Sequence, residues 1–434
     1  MDNIKIHFRK GVSNMKKLFA LLLLVCMCFS FSAVAEEKVV TLMIDNATSY
    51  AGIEAAGKWI EETYGIRLEI QFRPGGAEGE NYVRTLLAAG EMADLCYFNA
   101  GALLATINPA EFFVDLTGDE LIANVSESYY PCVSVDGKIY GIPAGSSFCG
   151  SWLYNKAVYA ELGLEVPHTW ADLMENCQKA KDAGKTAVIA SFGDDWTSQL
   201  ILLADYYNLE AGSPNFAADF DANKAKYATD PYGLKSFQKM EEVYQKGFMN
   251  ADYNTNTYDY ALEMLVNGDG VHYPMLTNAL TNIYTAYGQE AVDNIGVFGQ
   301  PGDDPDNHGI TVWMPNAIYI FKNGANVDLA KEWCGYFLSP EGIEAYAAAS
   351  KPEGPFVVKG IELTDVYAGV QEMMPYFDEG KTTAALEFVS SVKGPNSPQI
   401  CIECLSGLRS AEEAAAEYDA DAEKQAKQLG LAGW

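Results

Sequence analysis

Two asparagines stand directly after apolar, strand-like runs and are the first residues to consider for binding. Asn46 follows the run at residues 39–44, and Asn99 follows the run at residues 94–98. An amide side chain both donates and accepts hydrogen bonds, so it can pair with a hydroxyl group of a small polar molecule. Asn is also a common turn residue, which is the alternative role. The chemistry that these residues offer is reversible hydrogen bonding.

The elements around these asparagines alternate between strands and helices. Predicted strands lie at residues 39–44, 67–72 and 94–98, and helical spacing is found at residues 50–64 and 82–89. Such alternation predicts a parallel sheet with right-handed crossovers. Ligands of these sheets bind beyond the carboxyl ends of the strands, so Asn46 and Asn99 are expected at one crevice.

A hairpin and a capped helix are predicted farther along the chain. Asp136 and Gly137 lie between short alternating runs and should form a two-residue turn, because Gly tolerates a positive φ. Thr169 should begin a helix by accepting a hydrogen bond from the amide of Asp172, whose carboxylate reaches back to residue 169. The pattern then stays mainly helical to about residue 298, with short strands that indicate a second, smaller sheet.

The charge of the chain excludes several classes of partner. The 434 residues carry a formal net charge of −30. Such a surface makes binding to nucleic acid or to anionic lipid unfavourable. It favours a neutral or cationic ligand, and the length favours two domains.

The first 35 residues have the features of a secretory signal peptide with an upstream extension. Two lysines at positions 16 and 17 precede an apolar run at residues 18–31, which is too short to span a bilayer. The sequence Ala-Val-Ala at residues 33–35 is typical of a cleavage site, so the mature chain is expected to begin at Glu36. Cys26 and Cys28 follow Val and Met rather than small residues, which favours a product without a lipid anchor, soluble or loosely associated with the membrane.

Several segments together resemble the family 1 extracellular solute-binding proteins, which are sugar receptors of ABC importers related to maltose-binding protein. The main match is VDGKIYGIPAGSSFCGSWLYNK at residues 135–156, followed by LGLEVPHTWADL at residues 162–173. Further matches are ADLCYFNAGALL at 93–104, FVDLTG at 113–118, DDWTSQL at 194–200, PGDDPDNHG at 301–309 and LSPEG at 338–342. The resemblance carried by these segments, in this order, spans nearly the whole exported chain.

The resemblance implies an α/β, two-lobed, periplasmic-binding-protein-like (type II) fold with a hinge between the lobes. The N-terminal lobe would hold residues 36–148 and 299–350, and the C-terminal lobe residues 149–298 and 351–434. In this arrangement the chain leaves the first lobe near residues 145–150 and returns near residues 298–301.

The resemblance also implies ligand contacts in the second lobe. Asp195 and Trp196 lie between a predicted strand and a helix, where relatives commonly place ligand-contacting residues. Asp195 could accept from two hydroxyl groups or could cap the helix, and Trp196 could instead pack under the helix start. Relatives usually carry a stacking Trp at the position of Asn278, so a different or smaller ligand is expected, with Tyr273 as a partial replacement.

Further contacts are expected where the chain passes between the lobes. Ser147 and Phe148, beside Ser146, occupy a segment from which relatives often contact the ligand, although a plain linker is the alternative. Trp313 matches a position that reaches the cleft in relatives, but its alternation with Val312 and Met314 is equally compatible with a core strand.

Metal and cofactor chemistry is not expected from the sequence. The acidic loop at residues 301–309 lacks the glutamate spacing of a calcium loop, and His168, His272 and His308 are isolated from one another. Seven cysteines follow the leader. Of these, Cys401 and Cys404 are expected to have a structural role or to form a local disulfide.

The function that this pattern predicts is that of an exported receptor, monomeric and not an enzyme. It would capture a sugar or oligosaccharide between its lobes and deliver it to the membrane permease of an ABC importer. A receptor for a polyamine or a peptide is the first alternative, given the negative charge. A secreted glycoside hydrolase is the second, since two facing carboxylates would suffice for it.

Overall fold

The computed structural model describes residues 37–46, 49–362, 365–431 and 433–434. The predicted leader at residues 1–35, with Cys26 and Cys28, lies outside these residues. Within the described ranges, no helix is both long and apolar enough to cross a membrane.

The first sheet has five strands in the order β2-β1-β3-β12-β6. They are β1 (Lys38–Asp45), β2 (Ile66–Arg73), β3 (Leu95–Phe98), β6 (Gly141–Pro143) and β12 (Ala317–Ile320). Strand β1 pairs in parallel with both β2 and β3, whereas β12 is antiparallel to its neighbours β3 and β6. The predicted alternation of strands and helices is therefore confirmed, in a sheet that is mixed rather than wholly parallel.

Helices cover the first sheet and join its strands. They are α1 (Ala51–Tyr64), α2 (Gly76–Ala89) and α3 (Pro109–Phe112), with α13 (Val327–Phe337) and α14 (Pro340–Ala349) from later in the chain. Short 3-10 helices lie at Gly101–Ile107, Glu120–Ile122 and Glu127–Val133. The small hairpin β4 (Ser134–Val135) and β5 (Lys138–Ile139) turns at Asp136 and Gly137, which both have positive φ, as a type I′ turn requires.

The second sheet has six strands, in the order β13-β11-β7-β9-β8 with β10 also pairing with β7. They are β7 (Phe148–Asn155), β8 (Thr186–Val188), β9 (Gly270–Leu276), β10 (Ile295–Gly299), β11 (Ile310–Trp313) and β13 (Thr382–Ala384). Side chains of β7 alternate between two clusters of buried residues, Trp152 and Tyr154 in one and Cys149 and Leu153 in the other. This period of two is the strand periodicity that buries both faces of the sheet.

The second sheet is surrounded by helices. They are α4 (Lys156–Leu162), α5 (Trp170–Asp182), α6 (Leu200–Ala204), α7 (Tyr206–Gly212), α8 (Phe216–Asp221), α9 (Pro231–Gln245), α10 (Tyr258–Asn267), α11 (Ala279–Tyr287), α12 (Gln289–Asp293), α15 (Ala368–Asp378), α16 (Leu386–Val389), α17 (Ser397–Leu405) and α18 (Ala411–Leu429). 3-10 helices lie at Asp195–Gln199 and Pro305–Asn307. Thr169 and Asp172 form the predicted capping box at the start of α5.

The chain passes between the sheets at segments that lie side by side. The first passage is residues 144–147, between β6 and β7, and the second is residues 314–316, between β11 and β12. The amide of Ala144 donates to the carbonyl of Asn316 at 2.9 Å, and the amide of Ser147 donates to the carbonyl of Pro355 at 2.9 Å. Residues near 355 therefore form a third segment, which bridges in antiparallel fashion to the first passage at Ser146 and Phe356.

The predicted return to the first lobe near residues 298–301 is wrong. Strand β11, which follows those residues, pairs with β7 and β13 in the second sheet. The chain returns only at residues 314–316, because a buried strand needs ladder partners and β7 offers them to β11 beyond the end of β10. The segment 299–350 thus contributes strands to both sheets.

The later part of the chain also contacts both lobes. Val358 bridges to Val125, and the amide of Lys359 donates to the carbonyl of Asn124, so this stretch lies against the first lobe. Helix α15 then packs along β10, and α18 packs on α9, both in the second lobe.

Seven cysteines lie in the described chain, and all are buried free thiols. Cys401 and Cys404 are both on α17, where the thiol of Cys404 lies 3.7 Å from the carbonyl oxygen of Phe237. Of the two roles considered for this pair, the structure shows core packing and no disulfide.

Candidate functional site

A cavity of about 800 Å³ lies between the two sheets. Residues that follow β3 form part of its wall, and residues 387–398 of the second lobe form another part. Residues from all three segments that pass between the lobes also reach it, at positions 144–146, 314–316 and 350–353. The cavity therefore lies beyond the carboxyl end of β3 and beside the passages between the lobes, as the strand order predicts.

Aromatic side chains supply flat apolar surface in this cavity. Trp313 and Phe148 are register partners on β11 and β7, and both line it. Tyr97, Tyr346 and Phe388 line it from other elements. Aromatic faces of this kind stack on the apolar faces of ring-shaped ligands.

The position of the Trp313 ring depends on a glycine in the neighbouring strand. A Cβ atom at Gly150 would lie 2.4 Å from Cζ3 of Trp313, so a side chain at residue 150 would displace the ring. Gly150 is in β7, opposite Thr311 of β11. The ring thus lies across the backbone of β7 where that strand begins.

Amide and hydroxyl groups accompany the rings. Asn99 and Asn316 line the cavity, and Nδ2 of Asn316 donates to the hydroxyl of Tyr97 at 3.0 Å. Ser146 lines it too, and its Oγ accepts from the amide of Glu353 at 3.2 Å. These bonds fix the side chains of Asn316 and Ser146 before any ligand binds, which lowers the entropy that binding costs.

Gln199 lines the cavity, and its carbonyl oxygen is buried without a hydrogen-bond partner among the described residues. Its Nε2 donates to the carbonyl of Trp196 at 3.3 Å, while its buried Oε1 has no hydrogen-bond partner among the described residues. The residue lines the cavity and is 7% exposed. A buried acceptor without a partner costs free energy, so this side chain gains a hydrogen bond if it turns its oxygen toward a ligand donor.

Glu353 lines the cavity from the third segment between the lobes. Its backbone is held on both sides, because its amide donates to Ser146 and its carbonyl accepts from Oγ1 of Thr277 at 3.1 Å. Burial raises the pKa of Glu353 to about 7, partly offset by the hydroxyl of Thr281. Burial also raises the pKa of the neighbouring Tyr346 to about 12.

Both cations that line the cavity are already paired. Nζ of Lys393 lies 2.5 Å from Oε2 of Glu387, and Nζ of Lys351 lies 2.8 Å from Oδ1 of Asp365. Lys351 also lies over the ring of Tyr367, 5.1 Å from its centroid. Neither lysine therefore offers an uncompensated positive charge to a ligand.

Three of the residues predicted from the sequence line the cavity. They are Asn99, after β3, Phe148, at the start of β7, and Trp313, at the end of β11. The structure brings them together because the ends of these strands meet at the passages between the lobes. Their contact with a ligand stays a prediction.

Ser147 and Asn46 do not line the cavity. Ser147 is fully buried, and its hydroxyl donates to the carbonyl of Pro355 at 2.7 Å, so it joins two of the segments between the lobes. Asn46 is exposed just after the end of β1, and its backbone amide donates to the carbonyl of Arg73. Alternation along the strand explains the first case, since the side chains of Ser146 and Ser147 point in different directions.

The second-lobe residues predicted for binding also lie outside the cavity lining. Asp195 and Trp196 are exposed, and the ring of Trp196 lies 5.5 Å from that of Tyr258. Tyr273 is a core residue, 1% exposed, whose hydroxyl lies 2.7 Å from that of Ser191. Tyr273 was expected to replace a missing ring, but its place in the middle of β9 directs it into the core.

Asn278 is half-buried at the start of α11 and is also outside the cavity lining. Its Oδ1 is buried without a hydrogen-bond partner in the described chain. The aromatic side chains that do line the cavity come from β7, β11 and elements of both lobes.

Sequence reasoning missed Gln199, Glu353 and the stretch 387–398. Gln199 ends the 3-10 helix that begins at Asp195, so the correct segment was singled out but a different residue faces the cavity. Glu353 stands in SKPEGPF, where a carboxylate beside Pro and Gly is a weak signal. Residues 387–398 contact the cavity only through the packing of α16 and α17, which no local pattern indicates.

No group of three or more His, Cys, Asp or Glu side chains in the described ranges is arranged to hold a metal ion. The acidic loop at residues 301–309 forms a short 3-10 helix, at whose start the carboxylate of Asp304 accepts a hydrogen bond from the backbone amide of Asp306.

Residues 43–344 match the family model of the bacterial extracellular solute-binding proteins. The multiple sugar-binding protein of Streptococcus mutans is 26% identical over 261 residues, which is 58% of this chain. The aligned region spans 59% of that relative's length.

Solved structures share the fold over most of the chain. The apo form of RafE from Streptococcus pneumoniae has a TM-score of 0.74 at 17% identity, covering 91% of this chain and 100% of that one. A chitin oligosaccharide binding protein has a TM-score of 0.71 at 19% identity, covering 90% and 100%. The α/β, two-lobed fold is thereby confirmed, and this chain belongs to the bacterial extracellular solute-binding proteins.

Proposed function

We propose that the protein is the substrate-binding protein of an ABC importer, capturing a sugar or oligosaccharide in the cavity between its lobes and delivering it to a membrane permease. The observation that carries this proposal is the cavity itself, in which flat aromatic rings and hydrogen-bonding side chains from both lobes converge. Its volume of about 800 Å³ lies within the roughly 300–1,000 Å³ typical of small-molecule sites.

The chemistry of the lining suits a sugar. A sugar ring has apolar faces for Trp313 and Phe148 and hydroxyl groups at its edges for Asn99, Asn316 and Gln199. One solved relative is a complex of RafE with raffinose, and another is a sugar transporter from Bacillus licheniformis with stachyose. Both support a carbohydrate ligand here.

Binding is proposed to close the two lobes about the segments that join them. A Cβ atom at Gly101 of the first lobe would lie 2.7 Å from the carbonyl of Glu387 in the second, so the lobes already touch across the cavity. A ligand that contacts both lobes favours this closed arrangement over an open one, and it acts by shifting the population between them. The permease would then recognise the closed form.

The protein is proposed to act outside the cytoplasm, as a monomer and without catalysis or a cofactor. The predicted leader supports export, and the family supports binding rather than turnover. The two acidic residues of the cavity lining differ in their partners, because Glu387 forms an ion pair with Lys393 whereas Glu353 has no lysine or arginine partner among the described residues.

Calorimetric titration with a panel of sugars tests this function. Raffinose, stachyose and a chitin oligosaccharide are the first probes, with spermidine and a tripeptide for the alternative ligand classes. A sugar at one hundred times its dissociation constant should stabilise the protein by about 2.7 kcal/mol, which a thermal-shift assay detects.

Product analysis of the same mixtures separates a receptor from an enzyme. Intact sugar after long incubation is the expected result. Hydrolysis of a bound oligosaccharide, or binding of spermidine or peptide in place of every sugar, would overturn the proposal.

A further inference from the structure

Part of the cavity wall is a loop without regular secondary structure. Residues 390–396, here called the wall loop, connect α16 to α17. Four of them, Ser391, Lys393, Gly394 and Pro395, line the cavity. Because neither a helix nor a strand fixes this backbone, the shape of the wall depends on the partners that its polar groups find elsewhere.

Asp421 of α18 holds the end of the wall loop. Its Oδ2 accepts from the backbone amide of Asn396 at 2.8 Å, and its Oδ1 accepts from Nδ2 of the same residue at 2.6 Å. Asp421 is 6% exposed, so both bonds lie away from bulk water. A Cβ atom at Gly394 would collide with this carboxylate, so the loop packs directly on it. Bonds to an ionised carboxylate are stronger than those between neutral groups.

Asp221, at the end of α8, holds the start of the wall loop. Its Oδ1 accepts from Oγ of Ser390 at 2.6 Å and from the amide of Ser391 at 3.0 Å. The hydroxyl of Ser390 in turn accepts from the amide of Val392 at 3.1 Å. The loop is therefore fixed at both ends by carboxylates from helices that are distant in the sequence.

Among the described residues that line the cavity, neither Asp221 nor Asp421 is found. An effect of Asp421 on a ligand must therefore pass through the wall loop. The loop residue Lys393 pairs with Glu387 at 2.5 Å, so a shift of the loop would also disturb charges in the lining.

We propose that Asp421 is a positioning residue for sugar binding, which holds the wall loop in the shape that completes the cavity. A wall that is fixed before the ligand arrives loses less conformational entropy on binding than a mobile one. This inference rests on the proposed sugar-binding function and adds to it a residue outside the cavity lining.

The same helix supplies a matched control. Asp419, also on α18, is 7% exposed and accepts from the amides of Tyr227 and Ala228 at 2.9 and 2.8 Å. Tyr227 and Ala228 do not belong to the described cavity lining. Asp419 and Asp421 thus have similar burial and similar bonds, but only Asp421 holds a segment that forms the cavity wall.

The test measures affinity and stability separately on the whole mature protein. The probe is whichever of raffinose, stachyose and a chitin oligosaccharide binds the wild type most tightly. Asp421→Asn turns an amide nitrogen toward one of two donors and should weaken binding about tenfold. Asp419→Asn should lower the melting temperature by a similar amount but change the affinity by less than about twofold.

Two further variants separate positioning from general loss of structure. The exchange variant Asn396→Asp/Asp421→Asn reverses donor and acceptor in the side-chain bond and keeps an acceptor for the backbone amide of residue 396. It should recover the affinity to within about threefold of the wild type. Asn396→Ala removes only the side-chain bond and should weaken binding about threefold, which keeps the test decisive if Asp421→Asn does not fold.

The outcomes distinguish the two proposals. If none of the three sugars binds the wild type, the proposed function fails and this inference fails with it. If a sugar binds but Asp421→Asn and Asn396→Ala keep the affinity of Asp419→Asn, or the exchange recovers none of the lost affinity, this inference alone is overturned. Circular dichroism of each variant shows whether it is folded.

Discussion

At the residue scale, the structure assigns different positions to the two tryptophans that the sequence put forward for binding, Trp313 and Trp196. Trp313 lies in the cavity lining at 5% exposure, held across Gly150, whereas Trp196 is 39% exposed and lies against Tyr258 outside that lining. The sequence around each tryptophan resembles that of relatives. Only the packing of β11 against β7 shows that Trp313 lines the cavity and that Trp196 does not.

Substitution of these tryptophans should have unequal effects on sugar binding. Trp313→Leu removes the flat face and should weaken the affinity by about 2 kcal/mol, roughly thirtyfold, as for a central aromatic contact. Trp196→Leu is the matched control and should change it by less than about twofold. Titration of both variants with the sugar that the wild-type protein binds gives the comparison, and equal losses would contradict the assignment.

The carboxyl group of Glu353 should make the stability of the protein depend on pH. Burial raises its pKa from 4.5 to about 7, so the folded protein keeps a proton that the unfolded chain releases. This contribution to stability is complete below about pH 4.5 and is lost as the pH rises through about 7.

The melting temperature of the wild-type protein should therefore fall relative to that of Glu353→Gln between pH 5 and pH 8. Glu62→Gln, at an exposed position on α1, is the control and should differ from the wild type by a constant amount over that range. If the difference in melting temperature between the wild type and Glu353→Gln does not vary with pH, burial does not shift the pKa of Glu353.

At the element scale, the short helices that face each other across the cavity limit how closely the lobes approach. The 3-10 helix Gly101–Ile107 meets α16 at Gly101, which has a φ of +76° and lies close to the backbone of Glu387 and Phe388. A glycine is needed here for two independent reasons, the positive φ and the absence of room for a Cβ atom.

Gly101→Ala should weaken sugar binding in addition to the folding stability that it loses through backbone strain. The positive φ costs about 1–2 kcal/mol of folding stability, and the Cβ atom would also force Gly101 away from Glu387, which opposes closure. Gly118→Ala is a close control, because Gly118 has a φ of +75° and no atom within 4 Å of its added Cβ.

Both alanine variants should lose similar stability, but only Gly101→Ala should lose affinity, by tenfold or more. Thermal unfolding and calorimetric titration of the pair measure the two effects separately. If the two variants bind the sugar equally well, the contact across the cavity does not contribute to binding.

At the scale of the whole molecule, three adjacent segments join two lobes that each have their own sheet. Hydrogen bonds such as those from Ala144 to Asn316 and from Ser147 to Pro355 hold these segments together. A bend there changes few backbone dihedrals while each lobe keeps its packing, which is the geometry of hinge closure.

Ligand binding should make the molecule more compact in solution. Small-angle scattering at a saturating concentration of the bound sugar should give a smaller radius of gyration than that of the ligand-free protein, because closure brings the lobes together. A sugar that shows no binding in the calorimetric titration serves as the control for added solute. An unchanged radius of gyration with the bound sugar would indicate capture without closure.

The sequence by itself determined the local elements and the family. The turn at Asp136 and Gly137 depends on adjacent residues and the capping box of Thr169 and Asp172 on residues three positions apart, so both could be predicted and both are present. The alternation of strands and helices likewise predicted the first three strands and placed Asn99 at the cavity.

Only the tertiary structure decided which strand belongs to which sheet and which side chains meet. Strand β11 joins the second sheet because β7 offers it ladder partners about 160 residues earlier in the chain, which no local pattern reveals. Gln199 and Glu353 face one cavity for the same reason, since their separation in the sequence carries no information about their distance in space. Local hydrogen bonds and periodicity depend on residues that are close in the sequence, whereas a binding cavity is formed by contacts between residues that are distant in it.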